Sequence, residues 1–358
     1  MSNDERRHPD EPVADPGRDE PAAPTPSRPA ETATTWITNR RSFLRHVGGL
    51  GLGLAGVGAA GTLFHQAEAD EALPPTAGTP RVFDTRVPPE TGAPVLATVS
   101  GGERADAVGK AVEALGGIGR FVKSGETVLV KPNIGWDRLP MHGANTDPEV
   151  VAAIVRLCKE AGAGRVIVTD ISCNEVRRCF ERSGIWKAAE DAGAEVLLPT
   201  DGMFEEVDLG GGLGTWKVLK AVFEAQRIIN VPIVKHHGSA RLTAGMKNWY
   251  GVLSDERRSN LHRRMDEGIA ELAAAFRPSL TVVDATRVLL RNGPQGGSLS
   301  DVEERKLLAA STDPVAADAW AATVLGKAVE DIEYIGLAER ARLGRASVAA
   351  SELNGIEL

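Results

Sequence analysis

The sequence E-T-V-L-V-K-P-N, residues 126–133, decides the fold class. Residues 126–130 are a short apolar run that predicts a buried strand, and the polar sequence Lys131-Pro132-Asn133 follows it directly. A strand of this kind is typical of a parallel sheet that is covered on both faces. The fold therefore needs helices on either side of the sheet.

Apolar runs and helical segments alternate along the rest of the chain. Asp147-Pro148-Glu149 predicts the start of a helix, with a capping acid and a proline at the first position, and Gly162 predicts its end. Further strands are predicted at 165–169, 195–198, 227–234, 280–283 and 306–310. Helices are predicted at 175–192, 219–226 and 265–276, and a final pair after Asp313.

Strands and helices that alternate at these lengths predict parallel βαβ units with right-handed crossovers. The sequence therefore predicts a doubly wound α/β fold, with a mostly parallel sheet and helices on both faces. Residues 240–264 depart from the alternation, and we expect them to form a lid or a small insertion over the sheet.

Residues 40–69 resemble an export signal of the twin-arginine type. Arg40-Arg41 precedes a weakly apolar run, residues 47–64, and a small-x-small cleavage sequence ends at Ala69. We therefore expect the twin-arginine export machinery as a partner and a periplasmic or extracellular location. The alternatives are an uncleaved membrane anchor and a chance pair of arginines.

Composition sets the remaining boundaries. Residues 1–39 are rich in proline and acidic residues and are expected to be disordered. A linker at 70–95, one α/β domain at 96–345 and a tail at 346–358 are predicted to follow. The net charge of −8 and the lack of a basic stripe argue against a nucleic-acid binder. Three cysteines cannot form a disulfide framework, although Cys173 and Cys179 could pair outside the cell.

Polar and ionisable residues follow the predicted strands. Ligands of open α/β sheets bind at the carboxyl ends of the strands, so we expect these side chains to converge on one crevice. They are Lys131, Asn133, Asp170, Lys235, His236, His237 and Asp284. The alternative is a set of ordinary loop residues and helix caps.

The segment 235–248 is the densest group of such residues. Its imidazoles could move protons or bind a metal, and its lysines, Lys235 and Lys247, could hold a carboxylate or phosphate. Adjacent residues of an extended chain point in opposite directions, and we favour His237 over His236 for the crevice. A solvent-exposed basic loop is the alternative.

Other candidates lie further along the chain. His262 could act in catalysis, and Asp170, Asp284 and Asp318 could contribute to a metal site, although no tight metal-ligand spacing is present. The turn at 291–297, which includes Asn292, Gly293 and Pro294, could hold an anion through its backbone N–H groups or be a plain turn.

Several short motifs occur in a fixed order: K-P-N, T-D-P-E-V-V, K-x-H, M-K-N-x-x-G, D-x-T, N-G-P-x-x-G and D-P-V-A-x-D. This order resembles the bacterial and archaeal family called domain of unknown function 362, over about residues 95–340. The resemblance implies these pocket residues: Lys131, Asn133, His237, Lys247, Asn248, His262, Asp284, Asn292, Pro294 and Asp318.

Many relatives carry ferredoxin-like 4Fe–4S modules, so the resemblance also implies redox chemistry. This chain lacks the C-x₂-C-x₂-C-x₃-C run, and its three cysteines do not support such a cluster. We expect an exported enzyme of a redox or metal-assisted type that acts on an anionic small molecule, with a metal ion or an organic redox cofactor. The alternatives are a non-catalytic metal- or cofactor-binding maturation protein and a structural subunit of a membrane redox complex.

Overall fold

A mixed sheet of ten strands organises the computed structural model, which describes residues 80–88, 90, 92–254 and 258–358. The strands of these residues are β1 (Phe83–Asp84), β2 (Leu96–Ser100), β3 (Thr127–Pro132), β4 (Arg165–Val168), β5 (Glu195–Val196), β6 (Phe204–Asp208), β7 (Thr215–Leu219), β8 (Arg227–Val231), β9 (Ile233–His237), β10 (Arg241–Thr243), β11 (Phe276–Arg277), β12 (Leu280–Leu289), β13 (Val302–Ser311) and β14 (Leu353–Glu357).

The α-helices of the same residues are α1 (Arg104–Ala114), α2 (Ile118–Phe121), α3 (Pro148–Glu160), α4 (Val176–Arg182), α5 (Ile185–Asp191), α6 (Ala221–Glu224), α7 (Arg258–Leu261), α8 (Met265–Ala275), α9 (Pro314–Val324) and α10 (Glu333–Arg340). A 3₁₀ helix spans Lys247–Val252. None of the helices in the part of the chain described here is long and apolar enough to cross a membrane.

The parallel part of the sheet has the order β12-β8-β3-β4-β5, and β13 and β2 extend it in antiparallel fashion beyond β12. Side chains of β3 alternate between two cores: Val128 and Val130 pack with α1 and α3, and Leu129 packs with α8 and α9. The predicted α/β class, with a mostly parallel sheet and helices on both faces, is confirmed.

Several predicted boundaries need correction. The helix predicted at 175–192 is two helices, α4 and α5, because Gly184 between them adopts a left-handed conformation with φ of 74°. The strand predicted at 227–234 divides at Pro232, which has no N–H to donate to a neighbouring strand. The strand predicted at 280–283 continues through Asp284 to Leu289, because β13 pairs along it with a local shift in register.

Two other segments differ from their expected roles. Residues 240–253, expected in a lid or insertion, are mostly buried, and Trp249 is a fully buried core side chain. Residues 353–357, assigned to a tail, form β14 and pair with β2. The predicted disordered segment at 1–39 and export signal at 40–69 lie outside the described residues, so both stay predictions.

Candidate functional site

The site lies at the point of the sheet where the chain changes the side on which it adds successive strands. From β3 the chain builds outward to β4 and β5, and it then returns to add β8 on the other side of β3. Open α/β sheets bind ligands at such a switch point. Beyond Pro232 the chain no longer pairs with β3. Within the described residues, β9 pairs instead with β12 and β10. A cavity of about 570 Å³ lies at this opening.

Most of the residues predicted for the site line this cavity. They are Asn133, Asp170, Lys235, His237, Lys247, Asn248, His262 and Pro294. Lys131 is fully buried next to it through its contact with Asp170. Asn292, Gly293, Asp284 and Asp318 are not among its lining residues.

A buried ion pair forms one wall of the cavity. The Lys131 ammonium donates to Asp170 Oδ1 at 2.5 Å, and the backbone N–H of Ile134 donates to Asp170 Oδ2 at 2.6 Å. Burial lowers the pKa of Lys131 and raises that of Asp170, and the attraction between the two opposes both shifts. Gly251 is required beside them, because a Cβ there would lie 1.8 Å from Asp170 Oδ1.

A network of amides holds Lys235 in place. Its ammonium donates to Asn133 Oδ1 at 2.9 Å and to the carbonyl of Ala144. Asn133 in turn donates to Asn248 Oδ1 at 3.0 Å, and Asn248 donates to Asn230 Oδ1 at 2.8 Å. Burial lowers the pKa of Lys235 to about 7.

Lys247 is the second buried lysine that lines the cavity. Its ammonium lies 4.5 Å from the centre of the Tyr250 ring, and within the described residues it makes no hydrogen bond or ion pair. Burial lowers its pKa to about 8, and the nearby Arg258 adds to the effect. The cavity thus contains two lysines that form no ion pair with a carboxylate of the described residues.

The two histidines of the cavity have different free nitrogens. Nδ1 of His237 accepts the N–H groups of Ser239 and Ala240, at 3.2 and 3.0 Å, so its proton lies on Nε2. Burial, and then the charge of Lys247, lowers the pKa of His237 to about 2. This arrangement favours His237 as a neutral hydrogen-bond donor through Nε2, and its expected role in moving protons stays a prediction.

His262 has the opposite arrangement. Its Nδ1 donates to the carbonyl of Arg258 at 2.9 Å, since a carbonyl can only accept, and this leaves the lone pair of Nε2 free in the neutral ring. The ring also packs edge-on against Tyr250, with 5.9 Å between ring centres. Of the two, His262 is the residue that can accept a proton from a ligand.

The carboxylates predicted to bind a metal lie apart from one another. Asp284 accepts the backbone N–H of Asp147 and the N–H and hydroxyl of Thr286. Asp318 accepts the backbone N–H groups of Gly245 and Met246. No group of three or more His, Cys, Asp or Glu side chains converges in the described residues, so the predicted set does not form one metal site.

The turn at 291–297 does not present a nest of free N–H groups to the cavity. The N–H of Gly293 donates to His236 Nδ1, and that of Gly296 donates to the carbonyl of Asn292. The amide of Asn292 donates to Asp301. Only Pro294 of this turn lines the cavity, so an anion contact of Asn292 and Gly293 stays a prediction, with a plain turn as its alternative.

The cysteines do not fit a four-cysteine cluster. Cys158 and Cys179 are buried in α3 and α4, and all three thiols are free, so Cys173 and Cys179 are not joined. Cys173 lines the cavity, as do Arg258, Thr243 and Tyr250, which sequence reasoning missed. No spacing signal singled out these four: Thr243 ends β10, Cys173 lies in the loop after β4, and Tyr250 and Arg258 lie on short helices.

Comparison with known proteins gives a similar sequence and a solved structure of low similarity. A 30% identical relative is the thylakoid-associated protein sll1697 of Synechocystis, matched over 214 residues, 58% of this chain. The match spans 65% of that relative, just under two thirds of its length. A solved protein from Thermotoga maritima, a structural genomics target, is 15% identical with a TM-score of 0.34, over 66% of this chain and 58% of that one.

A family model described as a domain of unknown function, DUF362, matches residues 128–323. The match covers more than half of the chain and includes β3, the cavity-lining segment 235–251 and most of α9. It confirms the resemblance found from the ordered motifs. The chain therefore belongs to the family of proteins with the domain of unknown function 362.

Proposed function

We propose that the cavity binds a small anionic molecule and is the active site of an enzyme that acts on it. The observation that carries the proposal is the burial of Lys235 and Lys247 beside each other without a carboxylate partner in the described residues. Burying a charge without a partner is unfavourable, so such groups either lose a proton or attract a counter-ion. A carboxylate or phosphate would neutralise both lysines.

The other cavity residues extend this chemistry. Arg258 adds a third positive charge, and His237 Nε2–H is available to donate to an oxygen of the ligand. His262 can take or return a proton through Nε2. Fixed donors around a ligand oxygen favour the build-up of negative charge there, which is the usual basis of electrostatic catalysis. The volume suits a small organic anion.

The redox or metal-assisted type of chemistry remains a narrower part of the proposal. The described donors do not converge on a metal, so no step is assigned to one. An organic redox cofactor with anionic groups would suit the same lysines. Native mass spectrometry of protein purified without refolding will detect such an occupant, and a bound anionic cofactor would support this narrower reading.

The binding proposal is tested by titration calorimetry with phosphate, malonate and oxalate at pH 6.5 and pH 9. We expect binding to weaken at the higher pH, because the lysines, with pKa values of about 7 and 8, lose their charge. Lys235→Met should weaken binding roughly 10-fold or more, the usual loss for a hydrogen bond to a charged group.

Lys187→Met is the matched control, because Lys187 is 82% exposed and pairs only with Asp191 among the described residues. Equal affinity of the three proteins for every anion would show that the cavity is not an anion site. Anion binding without turnover of any anionic substrate would favour the non-catalytic alternative.

A further inference from the structure

We propose that Lys247 forms a covalent imine with the carbonyl carbon of a ligand that also bears a carboxylate, an oxo acid. The inference rests on the proposed anion site, because that site would hold the carboxylate and place the carbonyl next to the amine. It specifies which class of anion the cavity takes and which residue reacts with it.

The three buried lysines of the site differ in how their amino groups are used. Lys131 donates to Asp170 and to the carbonyl of Pro132. Lys235 donates to Asn133 and to the carbonyl of Ala144. Lys247 lines the cavity without a hydrogen-bond acceptor in the described residues. Its nitrogen is thus the one whose lone pair can reach a ligand without breaking an existing bond.

The surroundings of Lys247 favour its neutral form. Burial, with the positive charge of Arg258, lowers its pKa to about 8, against an opposing effect of Cys173. A lysine that is desolvated close to other cations is the usual arrangement for a nucleophilic amine. Arg258 remains as the cation that binds the carboxylate, and Lys235, held by Asn133 and Ala144, can donate a hydrogen bond to it.

The reaction balances without an added oxidant or reductant. The lone pair of Lys247 Nζ attacks the carbonyl carbon, a C–N bond forms, and the carbonyl π electrons move to the oxygen. The nitrogen loses a proton to His262 Nε2, and His262 returns that proton to the oxygen, giving a carbinolamine. The hydroxyl then takes a proton from solvent and leaves as water while the nitrogen lone pair forms the C=N bond, giving the protonated imine. His237 Nε2–H can donate a hydrogen bond to the oxygen as charge develops on it.

The test is reductive trapping with sodium borohydride in the presence of glyoxylate, pyruvate or phenylpyruvate. Borohydride reduces C=N to a stable amine, and peptide mapping by mass spectrometry then finds the modified lysine. We expect at least one oxo acid to label Lys247 stoichiometrically, and we expect excess malonate to protect it.

Lys247→Arg keeps the positive charge but removes the primary amine, and it should lose the label while still binding malonate. Lys247→Gln serves as a second variant if the arginine does not fit, and Lys187→Arg is the surface control. Labelling of Lys235 instead, or equal labelling of exposed lysines, would overturn the inference.

The two proposals fail in different ways. If oxo acids and malonate bind but no adduct is trapped at any pH between 6.5 and 9, the imine is wrong and the anion site stands. If neither oxo acids nor malonate bind, both proposals fail.

Discussion

At the residue scale, the site depends on which buried charges are neutralised. Lys131 forms an ion pair with Asp170, whereas Lys235 and Lys247 form none within the described residues. The sequence predicted Lys131 and Lys235 from their positions at strand ends, and Lys247 from the dense segment 235–248 and the M-K-N motif. It could not predict which one is paired, because Asp170 lies 39 residues from Lys131 and the fold alone brings them together.

Gly251→Ala should break the buried ion pair. A Cβ at this position would lie 1.8 Å from Asp170 Oδ1 and 2.7 Å from the Lys131 nitrogen. Disrupting a buried pair costs about 3–5 kcal/mol of the free energy of unfolding. Urea denaturation measures this loss, and we expect anion binding to fall with it.

Gly135→Ala is the matched control, since Gly135 lines the same cavity and its Cβ would meet only Asn133 Oδ1, at an ordinary 3.6 Å. Equal stability of the two alanine variants would contradict the role given to Gly251.

At the element scale, α9 holds the 3₁₀ helix at Lys247–Val252 in place. Asp318 of α9 accepts the N–H groups of Gly245 and Met246, directly before this helix. The predicted function of Asp318 as a metal ligand is replaced by a positioning role. The D-P-V-A-x-D motif marked the residue, but its partner is backbone, which leaves no signal in the sequence.

Asp318→Asn should change how stability depends on pH. Burial raises the pKa of Asp318 to about 7, above the ordinary value of 3.8 for an aspartate. The folded state therefore binds more protons between these values, and stability falls as pH rises through that window. Asn keeps an acceptor for both N–H groups and does not titrate. Tyr334, whose pKa is also raised by burial, stays neutral over this range.

We therefore expect the free energy of unfolding of Asp318→Asn, relative to the unmodified protein, to increase from pH 4.5 to pH 8. The increase should be on the order of 4 kcal/mol for a shift of this size. Asp191→Asn on the surface is the control, and urea denaturation at both pH values is the measurement. A difference that stays constant with pH would contradict a raised pKa for Asp318.

At the scale of the whole molecule, the fold class followed from composition and alternation, and the finer topology did not. Helices and strands of this kind predict a parallel sheet because both faces of each strand are apolar. The break at Pro232 and the pairing of residues 353–357 with β2 depend on contacts between distant segments. The cavity followed from the strand ends, whereas Arg258 and Tyr250 reach it from short helices that the alternation does not describe.

The two unpaired lysines should make the ligand-free protein more stable as pH rises from 7 to 9. Their pKa values in the folded protein, about 7 and 8, lie below the ordinary value of 10.5 for a lysine. The unfolded state therefore binds more protons in this range, so stability rises with pH. The free energy of unfolding rises because, at the higher pH, the folded protein no longer has to bury a charged lysine.

Thermal melting at fixed ionic strength measures the effect, with the Lys235→Met and Lys247→Met double variant as reference. The melting temperature of the unmodified protein, relative to that of the double variant, should increase as pH rises. Malonate should raise the melting temperature more at pH 7 than at pH 9. A malonate effect that does not depend on pH would contradict this account.

The opening beyond Pro232 has a consequence for the rate of binding. The gap arises because the chain stops pairing with β3 after β8, and β9 pairs instead with β12 and β10. Amide hydrogen bonds already fix Asn133, Lys235 and Asn248 around this gap. A ligand does not have to separate paired strands to reach the lysines. We therefore expect association in a single fast step, slowed by added salt because the attraction is electrostatic, and we expect differences between anions to reside in how slowly each one leaves.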